Sequence, residues 1–139
     1  MTLVVASLVL TLAQTGAQSF AGIWTADLKG DVYIRLELRE TNGVLNGQIS
    51  LGTTHPGNDG VVDTVIETAT YFKPIFDVAL RDGVLSFART DEGETDRFEL
   101  RVVGNRVELT YLFHPGFADA MKHDGITPPR PVLLSRSPR

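Results

Sequence analysis

The three histidines are the first candidates for acid–base or metal chemistry in this sequence. They are His55, His114 and His123, and the last two lie nine positions apart, across the predicted start of a helix. Zinc ligands recur at short fixed spacings such as H-x-x-x-H, and neither that pattern nor a comparable carboxylate spacing is present. We therefore interpret the histidines as surface loop residues and expect neither catalysis nor metal binding from them.

Nucleophilic catalysis has no sequence signature here either. The chain contains no cysteine, which excludes a thiol nucleophile. No serine stands in a G-x-S-x-G motif, the arrangement that exposes a serine nucleophile at a strand-to-helix turn. We therefore predict that the protein is not an enzyme and that it uses no cofactor.

Acidic side chains cluster at Asp91, Glu92, Glu94 and Asp96. Calcium prefers clustered oxygen ligands, but this run lacks the spacing of a known calcium-binding loop. We interpret the run as the solvated tip of a β-hairpin.

Arginine outnumbers lysine ten to three, and two pairs of arginines share one spacing. Arg35 and Arg39 lie four positions apart, as do Arg97 and Arg101, so each pair occupies one face of a strand. A carboxylate-binding patch is one interpretation of these pairs. We favour ion pairs with glutamates of neighbouring strands, on the outside of a sheet. These glutamates are Glu37 and Glu99.

Most of the chain alternates between apolar and polar residues, which is the pattern of half-buried strands. Residues 31–40 show it most clearly, and Asn42-Gly43 then predicts a tight turn into a partner strand at 44–51. Residues 52–60 form a loop by composition, and 116–123 is the one predicted helix. The other predicted strands are 20–24, 61–68, 72–80, 84–89, 96–103, 106–113 and 132–136.

About eight short strands joined by tight turns predict an all-β fold. We expect a single up-and-down antiparallel β-barrel with one short helix before the last strand, because closure removes exposed strand edges. A two-sheet sandwich is the alternative. In the barrel the large apolar side chains would point inward: Leu36, Leu38, Ile49, Phe87, Phe98, Leu100, Leu109, Tyr111 and Phe113.

The first predicted strand carries a G-x-W motif, Gly22-Ile23-Trp24, and a long alternating strand and the segment 42–47 follow it. This opening resembles those of avidin-like and lipocalin-like β-barrels. The resemblance implies that Trp24 lies near the closed end of the barrel, under an arginine of the last strand. Arg136 is at the matching position, and we expect a cation–π contact that closes the barrel. Trp24 is the only tryptophan, and Ala26 stands where the resemblance implies an asparagine ligand, so we do not expect biotin binding.

The first 26 residues carry no charge, and residues 2–13 form an apolar run. This run is too short to span a bilayer, which takes about 20 residues, but it suits the hydrophobic region of a signal peptide. Thr15 and Ala17 then occupy positions −3 and −1 of a cleavage site after Ala17. We predict a signal peptide at 1–17, a β-barrel domain at 18–139, and export to a bacterial periplasm or the extracellular space. A buried N-terminal helix or strand is the alternative.

The net charge of −4 argues against nucleic-acid binding, which needs a basic surface. An eight-stranded barrel can instead hold one small ligand. We therefore predict a binding protein for a small apolar molecule, with no membrane span. Its binding residues would lie in the barrel interior or at its open end: Leu36, Leu38, Phe87, Phe98, Tyr111 and Phe113. The alternative is a protein-interaction module, such as a lipocalin-like protease inhibitor that engages its partner through an end loop.

Overall fold

Alternating apolar and polar residues build eleven strands in the part of the chain that the structure describes. A computed structural model describes residues 16–138, so most of the predicted signal peptide, 1–15, lies outside the described residues, as does Arg139. The helices are α1 (Ala17–Phe20) and α2 (Pro115–His123). The strands are β1 (Gly22–Leu28), β2 (Asp31–Thr41), β3 (Val44–Leu51), β4 (Thr53–Pro56), β5 (Val62–Glu67), β6 (Lys73–Pro74), β7 (Phe76–Arg81), β8 (Val84–Asp91), β9 (Glu94–Val103), β10 (Arg106–Leu112) and β11 (Val132–Arg136).

Nine of these strands form one antiparallel sheet that nearly closes on itself. Their order is β6-β3-β2-β1-β11-β10-β9-β8-β7, so the last strand of the chain returns to pair with the first. Only Ile75 separates β6 from β7. Strand β6 pairs with β3 at one edge of the sheet, and β7 pairs with β8 at the other. The predicted all-β, barrel-like fold is confirmed, as is the short helix before the last strand.

Tight turns connect the long strands where the sequence places Asn-Gly, Asp-Gly or Glu-Gly pairs. Asn42 and Gly43 both have positive φ, 53° and 79°. That conformation matches the right-handed twist of the flanking strands, which is why Asn-Gly is favoured there. The predicted hairpin of 31–40 and 44–51 is confirmed, with Leu36 opposite Ile49.

Residues 52–60 differ from the predicted loop, because they contain the strand β4. It pairs with β5 as a separate two-stranded sheet, which we call the β4–β5 hairpin. Hydrogen bonds from Gly52 N–H to the Tyr33 carbonyl and from Ala69 N–H to the Val32 carbonyl, both 2.8 Å, anchor its two ends to β2. The predicted strand 72–80 is also divided at Ile75, where the chain leaves β3 and joins β8.

The two ends of the barrel differ in what covers them. We call the closed end the one that carries α1 and the turns at 42–43, 82–83 and 104–105. The open end carries the β4–β5 hairpin, α2 and the segment 124–131. Neither of the two helices within 16–138 has the length or the apolar character needed to cross a bilayer.

Candidate functional site

Trp24 lies at the closed end and is almost fully buried, with 2% of its surface exposed. Its indole Nε1–H donates a 2.8 Å hydrogen bond to the carbonyl of Phe20, the last residue of α1. The Arg136 guanidinium carbon lies 4.2 Å from the centre of the Trp24 rings, within the range of a cation–π contact. The apolar and polar parts of Trp24 therefore both have partners.

Arg136 also ties α1 to the last strand. Its Nη1 donates to the Ala21 carbonyl at 2.7 Å and its Nη2 to the Ser19 carbonyl at 3.3 Å. A Cβ atom at Gly22 would lie 2.5 Å from the same Nη1, so only glycine allows this close approach. The glycine and the tryptophan of the G-x-W motif thus both serve one closing contact with Arg136.

An apolar cavity of about 280 Å³ lies at the other end of the barrel. We call it the open-end cavity. Strands β2, β3, β9 and β10, the β4–β5 hairpin and the segment leading into β11 all contribute to it. The lining residues are Tyr33, Ile34, Leu51, Gly52, Thr54, Val62, Phe98, Leu109, Tyr111, Phe113, Pro129, Arg130 and Val132.

A continuous series of aromatic rings, here called the aromatic ladder, runs from the core along one wall of this cavity. Successive ring centres lie 5.3, 5.1, 4.3 and 5.6 Å apart. The first two rings are buried, the next two are half-buried and the last is exposed on α2. In order, the members are Phe87, Phe98, Tyr111, Phe113 and Phe117.

The polar side chains of Arg89, Asp91 and Asp96 form a connected group beside the aromatic ladder. Asp96 accepts hydrogen bonds from the Tyr111 hydroxyl and, at 3.2 Å, from Arg89 Nε. Arg89 is only 11% exposed, and a second carboxylate, that of Asp91, lies 3.9 Å from its Nη2. Burial, reinforced by the Asp96 hydrogen bond, raises the pKa of Tyr111 to about 12. The Tyr111 hydroxyl therefore stays protonated well above neutral pH and donates to Asp96.

The β4–β5 hairpin and the segment 124–131 meet above the cavity. Arg130 N–H donates to the Gly60 carbonyl at 3.0 Å, and the Thr127 hydroxyl donates to the Asn58 carbonyl at 2.9 Å. Gly60 has a φ of 79°, and a Cβ there would lie 2.6 Å from the Pro128 carbonyl oxygen. We call this set of contacts the lid clasp, because it joins the two coverings of the open end.

The predicted ligand-binding residues divide into two groups. Phe98, Tyr111 and Phe113 line the open-end cavity. Leu36, Leu38 and Phe87 do not line it and lie instead in the packed core, with 0%, 3% and 1% of their surfaces exposed.

Other cavity residues were not anticipated from the sequence, chief among them Tyr33, Val62 and Arg130. Val62 lies on β5 of the β4–β5 hairpin, and the β4 half of this hairpin was expected to be a loop. The Arg89–Asp96 pair was also missed, although the sequence holds a signal for it. The tight Glu92-Gly93 turn sets Asp91 opposite Glu94 and therefore Arg89 opposite Asp96.

The histidines lie on exposed parts of the chain and apart from the cavity lining. His55 pairs with Asp63 at 3.3 Å on the β4–β5 hairpin, and His123 lies 3.4 Å from Asp124. His114 caps α2, since its Nδ1 accepts from the Gly116 N–H at 3.3 Å. Within residues 16–138, no three His, Asp or Glu side chains are arranged to hold a metal ion.

Both ion pairs made by Glu37 and Glu99 run along a strand and not across strands as expected, whereas Arg97 Nη2 lies 3.5 Å from Asp77 of β7 and so pairs across strands. Arg35 Nε lies 3.1 Å from Glu37, and Arg101 Nη2 lies 2.9 Å from Glu99, so each pair joins residues two apart on one strand. Residues at that spacing share a face and are already neighbours. The cross-strand partner of Glu37 is Gln48, whose amide donates at 2.7 Å and lowers the pKa of the carboxyl.

No protein-family model matches this chain, and the searches of curated proteins and of solved structures return no match. The architecture is compatible with a barrel fold, but the closer resemblance to avidin-like and lipocalin-like proteins stays a prediction. The geometry of the open-end cavity is therefore the main basis for a function.

Proposed function

We propose that this protein binds a small, mainly apolar molecule in the open-end cavity and performs no chemistry on it. The observation that carries the proposal is the apolar lining of this cavity, at the mouth of a barrel whose other half is filled by side chains. Ligand sites in proteins are typically concave, mostly apolar and furnished with a few polar groups. Tyr33, Thr54 and Arg130 are such polar groups here.

The cavity volume limits the size of the ligand. Its 280 Å³ equals about nine water molecules at roughly 30 Å³ each. Apolar cavities of about 150 Å³ already bind benzene. We therefore expect a ligand of roughly ten non-hydrogen atoms, whose affinity comes mainly from the transfer of apolar surface out of water.

Indole is a suitable probe, and NMR spectra of isotope-labelled protein measure its binding. We expect saturable shifts in the methyl signals of Leu109 and Val132, which line the cavity. The methyl signals of Leu85 and Leu100, which are fully buried and do not line it, should move much less. Equal shifts at all four residues, or none at saturating indole, would contradict the proposal.

A pair of neighbouring substitutions makes the test specific. Val62→Trp places a large ring in the cavity wall and should weaken indole binding by about tenfold or more, because it fills the space that the ligand needs. Val61→Trp is the control, since Val61 is 49% exposed and does not line the cavity. Circular dichroism would show that both variants keep the fold.

A second candidate function is a protein-interaction module, for example a protease inhibitor. The observation that favours it is the exposure of large apolar side chains on the loops and α2 of the open end: Tyr71 is 80%, Phe117 55% and Ile126 50% exposed. Exposed apolar groups of this kind often contact other proteins. A double variant, Tyr71→Ser with Ile126→Ser, should then abolish capture of a protein partner while leaving indole binding unchanged, because neither residue lines the cavity.

We also propose that the protein is exported. The support is the sequence of residues 1–17 alone, with its apolar run and the small residues that follow. Mass spectrometry of the N-terminus after expression in a bacterium would test it, and a first residue of Gln18 is the expected result.

A further inference from the structure

We propose that the ligand of the open-end cavity is a planar aromatic carboxylate, whose ring packs against the aromatic ladder and whose carboxylate pairs with Arg130. This inference rests on the proposed function and adds a chemical class to it. Two independent features of the cavity lead to it: the aromatic composition of one wall and a single uncompensated charge in the lining.

The aromatic wall consists of Phe98, Tyr111 and Phe113, and their rings adopt different orientations. Phe98 and Tyr111 meet edge to face, with an interplanar angle of 85°, and Tyr111 and Phe113 are tilted by 47°. Tyr111 and Phe113 are half-buried and present more ring surface to the cavity than Phe98, which is 1% exposed. Aromatic pairs in offset or edge-to-face geometry are stabilised beyond the burial of their area, so a flat ring is favoured over a saturated one of equal size.

Arg130 is the only ionised side chain among the described residues that line the cavity. It forms no ion pair with any carboxylate between residues 16 and 138. Arg89, at the same end of the barrel, differs in this respect, because Asp91 and Asp96 both neutralise it. A cation without a counterion beside an apolar site favours an anionic ligand group, and guanidinium groups match carboxylates in geometry.

The backbone around Arg130 is held before any ligand arrives. Pro129 and Pro131 flank it and restrict the φ and ψ angles of this stretch. The lid clasp adds the hydrogen bond from Arg130 N–H to the Gly60 carbonyl. The side chain itself is exposed, so its methylene groups can lie along the apolar lining while the guanidinium stays hydrated. A ligand with an apolar ring and one terminal carboxylate fits this division between an apolar interior and a charged rim.

The test compares three small probes by NMR titration of the full chain. Cinnamate has a planar ring and a carboxylate, cinnamamide replaces the carboxylate by a neutral amide, and 3-cyclohexylpropanoate keeps the carboxylate but has a saturated ring. We expect cinnamate to bind about fivefold more tightly than cinnamamide, as a partly exposed ion pair allows. We expect it to bind about threefold more tightly than the cyclohexyl compound.

Arg130→Gln should reduce the preference for cinnamate over cinnamamide to about one while cinnamamide binding persists. Arg106→Gln is the matched control, because Arg106 is an exposed arginine at the closed end and its loss changes the net charge equally. It should leave the fivefold preference intact.

The outcomes separate this inference from the proposed function. If cinnamamide or the cyclohexyl compound binds as tightly as cinnamate, the aromatic carboxylate is ruled out although the cavity still binds apolar molecules. If Arg130→Gln still prefers cinnamate over cinnamamide, the proposed pairing of Arg130 with the carboxylate is wrong. If none of the three probes, and no indole, binds at saturating concentration, the proposed function fails and this inference fails with it.

Discussion

The two ends of this barrel are built from the same alternating strands but use their inward side chains differently. At the closed end Trp24 is 2% exposed, its indole N–H is bonded to Phe20, and Arg136 covers its ring. At the open end the rings of Tyr111 and Phe113 are only half-buried, and they line a cavity. Close packing stabilises a fold, while a binding site requires space that the fold leaves unfilled. The closed end therefore supplies stability, which lets the open end remain partly empty.

The largest difference between the ends should appear when one ring is removed from each. Trp24→Ala should lower the free energy of unfolding by about 3–5 kcal/mol, because it leaves a cavity in a packed site. Phe113→Ala should cost only about 1 kcal/mol, since that ring is half-buried. Urea denaturation followed by circular dichroism measures both values. Similar losses in the two variants would contradict the assignment of stability to the closed end.

Arg136 tests whether the closing contact itself contributes. Arg136→Gln should lower the free energy of unfolding by about 1–2 kcal/mol, because it removes a cation–π contact and weakens the hydrogen bonds to Ser19 and Ala21. Arg106→Gln, at the start of the neighbouring strand β10, should change it by less than about 0.5 kcal/mol. An equal loss of unfolding free energy in both variants would show that Arg136 contributes no more to stability than an ordinary surface arginine.

Two glycines with positive φ allow a comparison of backbone strain at the two ends. Gly60→Ala combines a φ of 79° with a Cβ 2.6 Å from the Pro128 carbonyl oxygen, whereas Gly104→Ala has a φ of 63° and open space around its Cβ. Each substitution costs about 1 kcal/mol for the left-handed backbone, but only Gly60→Ala should break the lid clasp. Amide hydrogen exchange at Arg130 should then accelerate by about tenfold in Gly60→Ala and stay unchanged in Gly104→Ala.

The smallest predicted effect concerns the titration of Tyr111 at high pH. Its folded-state pKa of about 12 lies above the ordinary 10.0, so its protonated form contributes stability below pH 10. That contribution should be lost as the pH rises from about 10 to about 12. Absorbance at the phenolate band should show a component titrating near pH 12 that is absent in Tyr111→Phe. Asp96→Asn should lower this pKa only in part, because the burial that also raises it remains.

Much of the barrel follows from local patterns. Period-two alternation predicts which face of each long strand is buried, and Leu36, Phe87 and Phe98 are indeed in the core. Asn42-Gly43 predicts its turn because few other pairs accept two positive φ angles. The β4 half of the β4–β5 hairpin was missed because Thr53–Pro56 is short, polar and ends in a proline, so this strand depends on its anchoring to β2.

The open-end cavity could not be derived in the same way. Pattern alone predicts that Leu36 and Phe98 both point inward, since alternation sets the direction of every side chain relative to its own strand. Whether an inward side chain meets a neighbour or a cavity depends on what closes over it. Here closure brings Tyr33 and Val62 opposite Phe113 and Arg130, residues separated by long stretches of chain. Sequence periodicity therefore determines which face of each strand points inward. Only the closure of the barrel and its lid clasp decides where those faces enclose empty space, because the cavity is shared by distant segments whose contacts no local pattern encodes.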